Sequence, residues 1–308
     1  MLPETKQEGL PTKAPFTGRS GILHLAGYRY WTASLFPAIA GTTLPFWLHP
    51  PDFSFKWIEA IAFLVATIFL HAGFSFLQAG FSQPAATRSK QSLQFYGALC
   101  LFLACLLGLY LNSNLTLQTG VPGYIFLLYG LVMLFVGALY VMPPFSFRRR
   151  LGGEIVLAES LGMLPVLGAY LVHVGDLTRT VYLASLPLIV VTGLWIWIDE
   201  LASKADDEAC GRRTLVIDFG LRFSGRYGVL ALVISFVATL LLAVLSGSLS
   251  PLALLALLTI GHLWKIAKVC WSEYDSRERM LEVCRSTIGL HFLTGSIIAV
   301  SSLLAAKI

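Results

Sequence analysis

The stretch TVYLASLPLIVVTGLWIWI, residues 180–198, contains no Asp, Glu, Lys or Arg. An α-helix rises about 1.5 Å per residue, so about 20 apolar residues cross the roughly 30 Å hydrocarbon core of a bilayer. A second stretch of this kind, YGVLALVISFVATLLLAVLSG, covers residues 227–247. These uncharged runs predict transmembrane helices.

The composition of the whole chain agrees with this prediction. Hydrophobic residues make up 56% of the 308 residues and charged residues 13%, with a mean hydropathy of +0.74. Soluble domains carry about 25% charged residues, so a soluble globular protein is excluded. The net charge of +5 comes from basic residues in loops between the apolar runs, which argues against a nucleic-acid partner. The five cysteines form no Cys-x-x-Cys pair and indicate neither a disulfide framework nor a metal site.

Nine apolar runs are long enough to span a bilayer. They lie near residues 29–48, 58–81, 93–111, 121–142, 155–173, 180–198, 227–247, 251–270 and 287–306. The sequence therefore predicts an all-α, polytopic membrane protein. We expect a tail at residues 1–28, followed by one domain, a bundle of nine transmembrane helices, at 29–308.

The basic residues predict the orientation of the bundle. All but three of the 22 Lys and Arg residues fall in the N-terminal segment or in loops near 82–92, 143–154, 199–226 and 265–286. Short basic loops stay in the cytoplasm. We therefore expect an integral, multi-pass protein, in the plasma membrane if bacterial, with its N-terminus in the cytoplasm and its C-terminus outside. Any chemistry is expected on the cytoplasmic side.

The segment WIDELASKADDEACGRRTLVIDFG, residues 197–220, is the most informative for function. Asp199, Ser203 and Asp207 are spaced i, i+4, i+8, which places them on one face of a helix. Arg212 and Arg213 follow directly after a glycine. Carboxylates that hold Mg²⁺ beside arginines that hold phosphate oxygens are typical of a diphosphate site. A solvated helix end whose acids and bases pair with one another has the same pattern.

The order of these residues resembles the second aspartate-rich motif of the UbiA superfamily of intramembrane prenyltransferases. The resemblance is closest to the 1,4-dihydroxy-2-naphthoate prenyltransferase branch of menaquinone synthesis, in which Asn-Glu-x-x-Asp-x-x-x-Asp leads into Gly-Lys-Arg-Thr-Leu. Two further stretches are similar to family motifs and fall in the family's order. They are RYWTASLFPAIAG at 29–41 and YVMPPFSFRRRLGGE at 140–154.

The chain departs from the family pattern at both aspartate-rich motifs. In the second motif, Asp199 replaces the leading Asn and Ser203 replaces the middle Asp. In the first motif, on the second predicted span, the family's Asn and Asp positions hold Ser75, Gln78, Ala79 and Ser82. No Asp or Glu occurs between Glu59 and Glu154.

The resemblance implies transfer of an isoprenoid chain from an allylic diphosphate to an aromatic acceptor with Mg²⁺ as cofactor. By this resemblance Asp199 and Asp207 are the expected catalytic residues, and Asp206 joins them as a metal ligand. The motif helices should converge, with Gln78 and Ser82 facing Asp199 and Asp207. The expected substrate-binding residues are Arg29, Gln78, Ser82, Arg88, Lys90, Tyr140, Lys204, Arg212 and Arg213.

Other interpretations stay open on the sequence alone. A catalytically silent family member that binds a quinone, pigment or isoprenoid lipid, alone or within a membrane complex, would account for the missing first motif. A small-molecule transporter is disfavoured because the charges cluster at helix ends instead of at the midplane. His71 lies inside the second predicted span, where a polar residue is either functional or bonded to a neighbouring helix. Arg148–Arg150 are typical of a topology anchor. The sequence identifies no protein partner.

Overall fold

A computed structural model describes residues 31–49, 54–83, 88–120 and 122–305. Every regular element in these ranges is a helix. The α-helices are α1 (Thr32–Leu48), α2 (Trp57–Phe81), α3 (Arg88–Thr119), α4 (Tyr124–Val141), α5 (Gly153–Gly162), α6 (Leu164–Val174), α7 (Arg179–Ala209), α8 (Leu215–Phe219), α9 (Leu221–Phe223), α10 (Val229–Leu245), α11 (Ile260–Ser272) and α12 (Arg277–Ala305). Shorter 3₁₀ or π turns cover Phe147–Arg149, Ser224–Gly228 and Pro251–Thr259.

The predicted membrane architecture is confirmed. Within the described ranges, eight helical stretches are at least 18 residues long and apolar enough to cross a bilayer. The first predicted span corresponds to α1, which has 17 described residues. On α4, Leu128, Leu131 and Phe135 are exposed at helical spacing, as expected for a stripe that faces lipid.

Among the predicted spans that differ from the observed helices, two position the site, the fifth and the sixth. The fifth is broken into α5 and α6 at Met163, because Pro165 has no N–H to donate to the carbonyl four residues earlier. The sixth, predicted to end at residue 198, continues as α7 to Ala209, about three helical turns further. This extension carries the acidic motif.

The core of the bundle is organised around α7 and α1. Helix α7 packs against α5, α10 and α12, and its Leu188 and Trp195 are buried. Helix α1 lies between α6 and α12. A Cβ at Gly41 would collide with the backbone of Val166 on α6, so glycine allows the close approach of these two helices.

The loops at 142–152 and 210–214 meet at one end of the bundle, called the basic end below. The N–H of Arg213 donates to the carbonyl of Arg149 at 3.1 Å. Gly211 has a φ of +66°, a conformation that favours glycine, and it turns the chain sharply after α7. This turn brings Arg212 back towards the loop that contains Arg148.

Candidate active site

One cavity of about 290 Å³ opens between α1, α2, α4, α5, α6 and α7. The part nearer the basic end has a polar lining, and the deeper part is mostly apolar with aromatic rings. The polar lining consists of Gln78, Tyr140, Asp199, Glu200, Ser203 and Arg212. The deeper lining includes Ser34, Thr67, His71, Phe74, Met133, Pro165 and Trp195.

The two motif helices, α2 and α7, share this cavity. Gln78 from α2 and Asp199 from α7 both line it. Ser82 and Asp207 do not line it and instead contact the basic loops. The structure thus brings the two motif helices together. Only Gln78 of the pair on α2 and only Asp199 of the pair on α7 lie on the cavity wall.

Asp207 is committed to hydrogen bonds within the protein. It is 5% exposed, and its Oδ1 lies 2.6 Å from Nη1 of Arg212. Its Oδ2 accepts a hydrogen bond from Ser203 Oγ at 3.2 Å. Asp207 therefore holds Arg212 in place at the cavity.

Arg148 and Arg212 form a linked pair of cations at the basic end. Arg212 Nε donates to the carbonyl of Arg148 at 3.1 Å, and Arg148 Nη2 donates to Ser82 Oγ at 3.3 Å. Arg148 has no ion pair with a carboxylate of the described residues. Burial and the nearby charge of Arg212 lower the pKa of its guanidinium. Of these two guanidinium groups, only that of Arg212 is paired with a carboxylate, that of Asp207. The pair therefore attracts an anion.

Glu154 and Glu200 are buried close together beside the cavity. They are 7% and 6% exposed, and their carboxyl groups lie close enough to interact electrostatically. Glu154 Oε1 accepts the backbone N–H of Leu215 at 2.7 Å, so it caps α8 as well as beginning α5. The Oε2 atoms of both residues are buried without a hydrogen-bond partner in the described structure.

Comparison with known proteins identifies the family. The model of the UbiA prenyltransferase family matches residues 83–285. The chain belongs to this family. No curated protein sequence matches it.

Three solved structures of UbiA homologues have the same fold as this family member. A homologue from Archaeoglobus fulgidus bound to Cd²⁺ has a TM-score of 0.63 and 15% identity, covering 89% of this chain and 99% of that one. The A. fulgidus homologue bound to GPP and Mg²⁺ has a TM-score of 0.59 and 15% identity, with the same coverage. The apo homologue from Aeropyrum pernix K1 has a TM-score of 0.60 and 18% identity, covering 89% and 97% of the two chains.

The donor set of this UbiA chain fits one Mg²⁺ better than two. Among the described residues, no group of three or more His, Cys, Asp and Glu side chains is placed to hold a metal. Asp199 and Glu200 are the acids on the cavity wall. Mg²⁺ is often held by one or two carboxylates together with substrate phosphates. Asp206 lies elsewhere, with Oδ2 2.6 Å from Nη2 of Arg277.

The remaining described residues predicted to bind substrate are spread around the basic end. Lys204 pairs with Glu208 at 2.9 Å, and Arg213, which is 70% exposed, pairs with Asp218 at 2.9 Å. Neither lines the cavity. Two other predicted residues lie on α3 away from the cavity, and one falls outside the described residues. The two on α3 are Arg88, which borders a separate surface groove, and Lys90. The residue outside the described ranges is Arg29.

Sequence reasoning missed part of the cavity. Glu200 was not among the predicted site residues, although it directly follows Asp199. His71 had two possible roles, and the structure gives it both a bond to a neighbouring helix and a place on the cavity wall. Its Nδ1 lies 3.0 Å from Ser34 Oγ on α1, and both residues line the cavity.

Proposed function

We propose that the chain is a membrane prenyltransferase that transfers an isoprenoid chain from an allylic diphosphate to an aromatic acceptor. The observation that carries this proposal is a single cavity in which Asp199, Glu200 and Arg212 adjoin the rings of Phe74 and Trp195. An allylic diphosphate has the same division, with an anionic head and an apolar tail. Its head would lie at the basic end and its tail in the deeper part.

Arg212 and Arg148 are proposed to bind the diphosphate. Guanidinium groups match phosphate oxygens with paired hydrogen bonds. Arg212 uses Nε and Nη1 within the protein, which leaves further N–H groups for the substrate. When the bond between C1 and the diphosphate oxygen breaks, negative charge grows on the leaving group. Cations already held in place stabilise that charge without reorganisation.

Asp199 and Glu200 are proposed to hold Mg²⁺ together with oxygens of the substrate. A bound Mg²⁺ supplies positive charge that stabilises the diphosphate leaving group. Asp207 supports the site indirectly, because both of its oxygens are used to position Arg212 and Ser203. This assignment moves the metal role from Asp206 and Asp207 to Glu200.

Aromatic side chains favour the step in which the acceptor ring attacks the allyl cation. The allyl cation left after ionisation is attacked by an electron-rich aromatic ring. Phe74, Tyr140 and Trp195 line the cavity, and aromatic rings stabilise nearby cations by cation–π attraction. For the acceptor we propose a naphthoate or quinone precursor, as in menaquinone synthesis. The support is the resemblance of residues 199–215 to the 1,4-dihydroxy-2-naphthoate branch.

A silent family member that binds a quinone, pigment or isoprenoid lipid is the second candidate function. The observation that favours it lies on α2, where Ala79 and Ser82 stand at the acidic positions of the family motif. Ser82 is hydrogen-bonded to a cation, Arg148, instead of contributing a carboxylate. Loss of those carboxylates weakens metal recruitment and leaves the cavity intact.

Diphosphate release distinguishes the two functions. The purified chain is given geranyl diphosphate and 1,4-dihydroxy-2-naphthoate, and release is measured across a Mg²⁺ titration. We expect release by the native chain, and a loss of about tenfold or more in Asp199→Asn and Glu200→Gln, since each removes a carboxylate ligand of the Mg²⁺ that stabilises the leaving group. Asp206→Asn is the matched control, because its carboxylate pairs with Arg277.

The control result completes the test. Asp206→Asn is expected to keep native release. Binding of geranyl diphosphate without release, in the native chain and in all three variants, would contradict the enzymatic proposal and support the binding function. Equal loss in all three variants would mean that the acids act only through stability.

A further inference from the structure

The pair of His71 and Ser34 lies deeper in the cavity than the groups assigned to the diphosphate. His71 is seven residues before Gln78 on α2, which places it about 10 Å further along the helix axis. Thr67, one turn deeper again, donates its hydroxyl to the carbonyl of Phe63 at 2.9 Å. The hydroxyl of Thr67 is thus occupied within its own helix.

We assign the ring proton of His71 to Nδ1 on the basis of the two contacts of the Ser34 hydroxyl. Ser34 Oγ lies 3.3 Å from the carbonyl of Trp31 and can donate its one proton there. Nδ1 of His71, 3.0 Å from the same Oγ, then carries a proton and donates to Ser34. A charged imidazole is costly in an apolar membrane interior, so the ring is neutral and Nε2 keeps its lone pair.

Nε2 of His71 is a hydrogen-bond acceptor open to the cavity. His71 lines the cavity, and Nε2 is not one of the buried polar atoms that are shut off from it. Its ring makes one hydrogen bond among the described residues, through Nδ1. A ligand in the cavity that carries a donor would satisfy Nε2.

We propose that Nε2 of His71 accepts a hydrogen bond from a ring hydroxyl of the acceptor, so that His71 is a positioning and specificity residue. The inference rests on the proposed prenyl transfer and names the acceptor feature that is recognised. A site that presents a buried acceptor atom disfavours analogues without a donor, because the acceptor is then left unpaired. The cavity therefore selects a hydroxylated ring over its ether or its quinone.

The test compares two probes, 1,4-dihydroxynaphthalene and 1,4-dimethoxynaphthalene, by calorimetry with the purified full chain under reducing conditions. We expect the native chain to bind the diol about tenfold more tightly than the diether. His71→Phe should bind both alike, and His71→Gln, which keeps an acceptor oxygen, should restore part of the preference. Thr42→Val on α1 is the matched control and should keep the native preference, because Thr42 does not line the cavity and its hydroxyl donates to the carbonyl of Ala38.

A native chain without preference, or a His71→Phe variant that keeps it, would overturn the assignment. If His71→Phe does not fold, Ser34→Ala replaces it, and a preference as large as the native one in that variant would count against the proposed pair. Geranyl diphosphate binding is measured in the same samples and should not change. If the native chain prefers the diol but does not bind geranyl diphosphate, the proposed transfer fails while the role of His71 in binding the ring hydroxyl stands.

Discussion

At the scale of single residues, the arrangement of the site depends on the contacts of one acid, Asp207. The spacing of Asp199, Ser203 and Asp207 predicts three groups on one face, with Asp207 as the in-register acid. A helix turns by about 100° per residue, so a residue eight positions on is rotated by about 80° and lies about 12 Å further along the axis. Asp207 therefore lies past the cavity and reaches Arg212 instead.

Asp207→Asn is expected to destabilise the fold and to weaken diphosphate binding. The change leaves the guanidinium of Arg212 without its buried partner, which costs about 1–3 kcal/mol when the cation is partly exposed. Thermal unfolding and binding of geranyl diphosphate check both effects. The matched control is Arg277→Ala, which breaks an ion pair whose partners are 58% and 57% exposed and should change stability little. Equal melting temperatures in the two variants would contradict the role given to Asp207.

The site residues that were predicted from the sequence and that line the cavity are Asp199, Gln78, Tyr140 and Arg212. It could not find the contact between Arg148 and Ser82, because these residues are 66 positions apart. Only the tertiary structure shows that the guanidinium of Arg148 contacts Ser82, which stands where the family motif has an acid. Glu200 was missed for a related reason, since burial between α5 and α7 cannot be read from its position beside Asp199.

At the scale of helices, the contact between α2 and the loop before α5 sets the charge of the cavity mouth. Ser82→Asp would place a carboxylate against Arg148, which Ser82 now contacts at 3.3 Å. We expect metal-free binding of geranyl diphosphate to weaken by about threefold or more, since each neutralised cation removes attraction for the anion. Dependence on Mg²⁺ should become steeper, and more so when Ala79→Asp is added.

Ser89→Asp is the control for this charge change. Ser89 is exposed near the start of α3, so the variant adds the same charge away from the cavity wall. Calorimetry with and without Mg²⁺ should separate the two variants. The same weakening in both would show a general charge effect and not a contact with Arg148.

The packing of α1 on α6 gives a second test at this scale. Gly41→Ala puts a Cβ into the backbone of Val166, and overpacking of this kind costs about 1–3 kcal/mol. Gly261→Ala on α11 adds a Cβ with no neighbour within 4 Å and should be neutral or slightly stabilising. Thermal unfolding of the two variants in one detergent checks the difference, and similar melting temperatures would argue against the close approach of α1 and α6.

The helices themselves were largely predictable, because membrane spans need long uncharged runs. The length of an uncharged run does not show where a helix continues into water, as α7 does to Ala209. It also does not show a break, although Pro165 marks the position where α5 gives way to α6.

At the scale of the whole molecule, positive charge is concentrated at one end. Arg148–Arg150, Arg212 and Arg213 lie at the basic end, whereas Lys56 and Arg179 lie at the opposite end. We expect the basic end to face the cytoplasm. Cysteine-accessibility labelling checks this in a Cys210→Ser background, since Cys210 is the exposed cysteine of the described residues.

In that background, an impermeant maleimide should label Ser246→Cys in intact cells and Ser89→Cys only after lysis. Both positions are exposed and lie at opposite ends of the bundle. Labelling of Ser89→Cys from outside would reverse the orientation and place the cavity mouth on the other side of the membrane.

The central claim is that this cavity joins an isoprenoid chain to an aromatic ring, with Asp199 and Glu200 acting at the leaving group. The most direct measurement is mass spectrometry of the product formed from geranyl diphosphate and 1,4-dihydroxy-2-naphthoate with Mg²⁺. The account predicts a geranylated ring with the native chain and at least about tenfold less with the Asp199→Asn/Glu200→Gln double variant. A native chain that binds geranyl diphosphate but forms no geranylated ring, or a double variant that forms as much as the native chain, would contradict it.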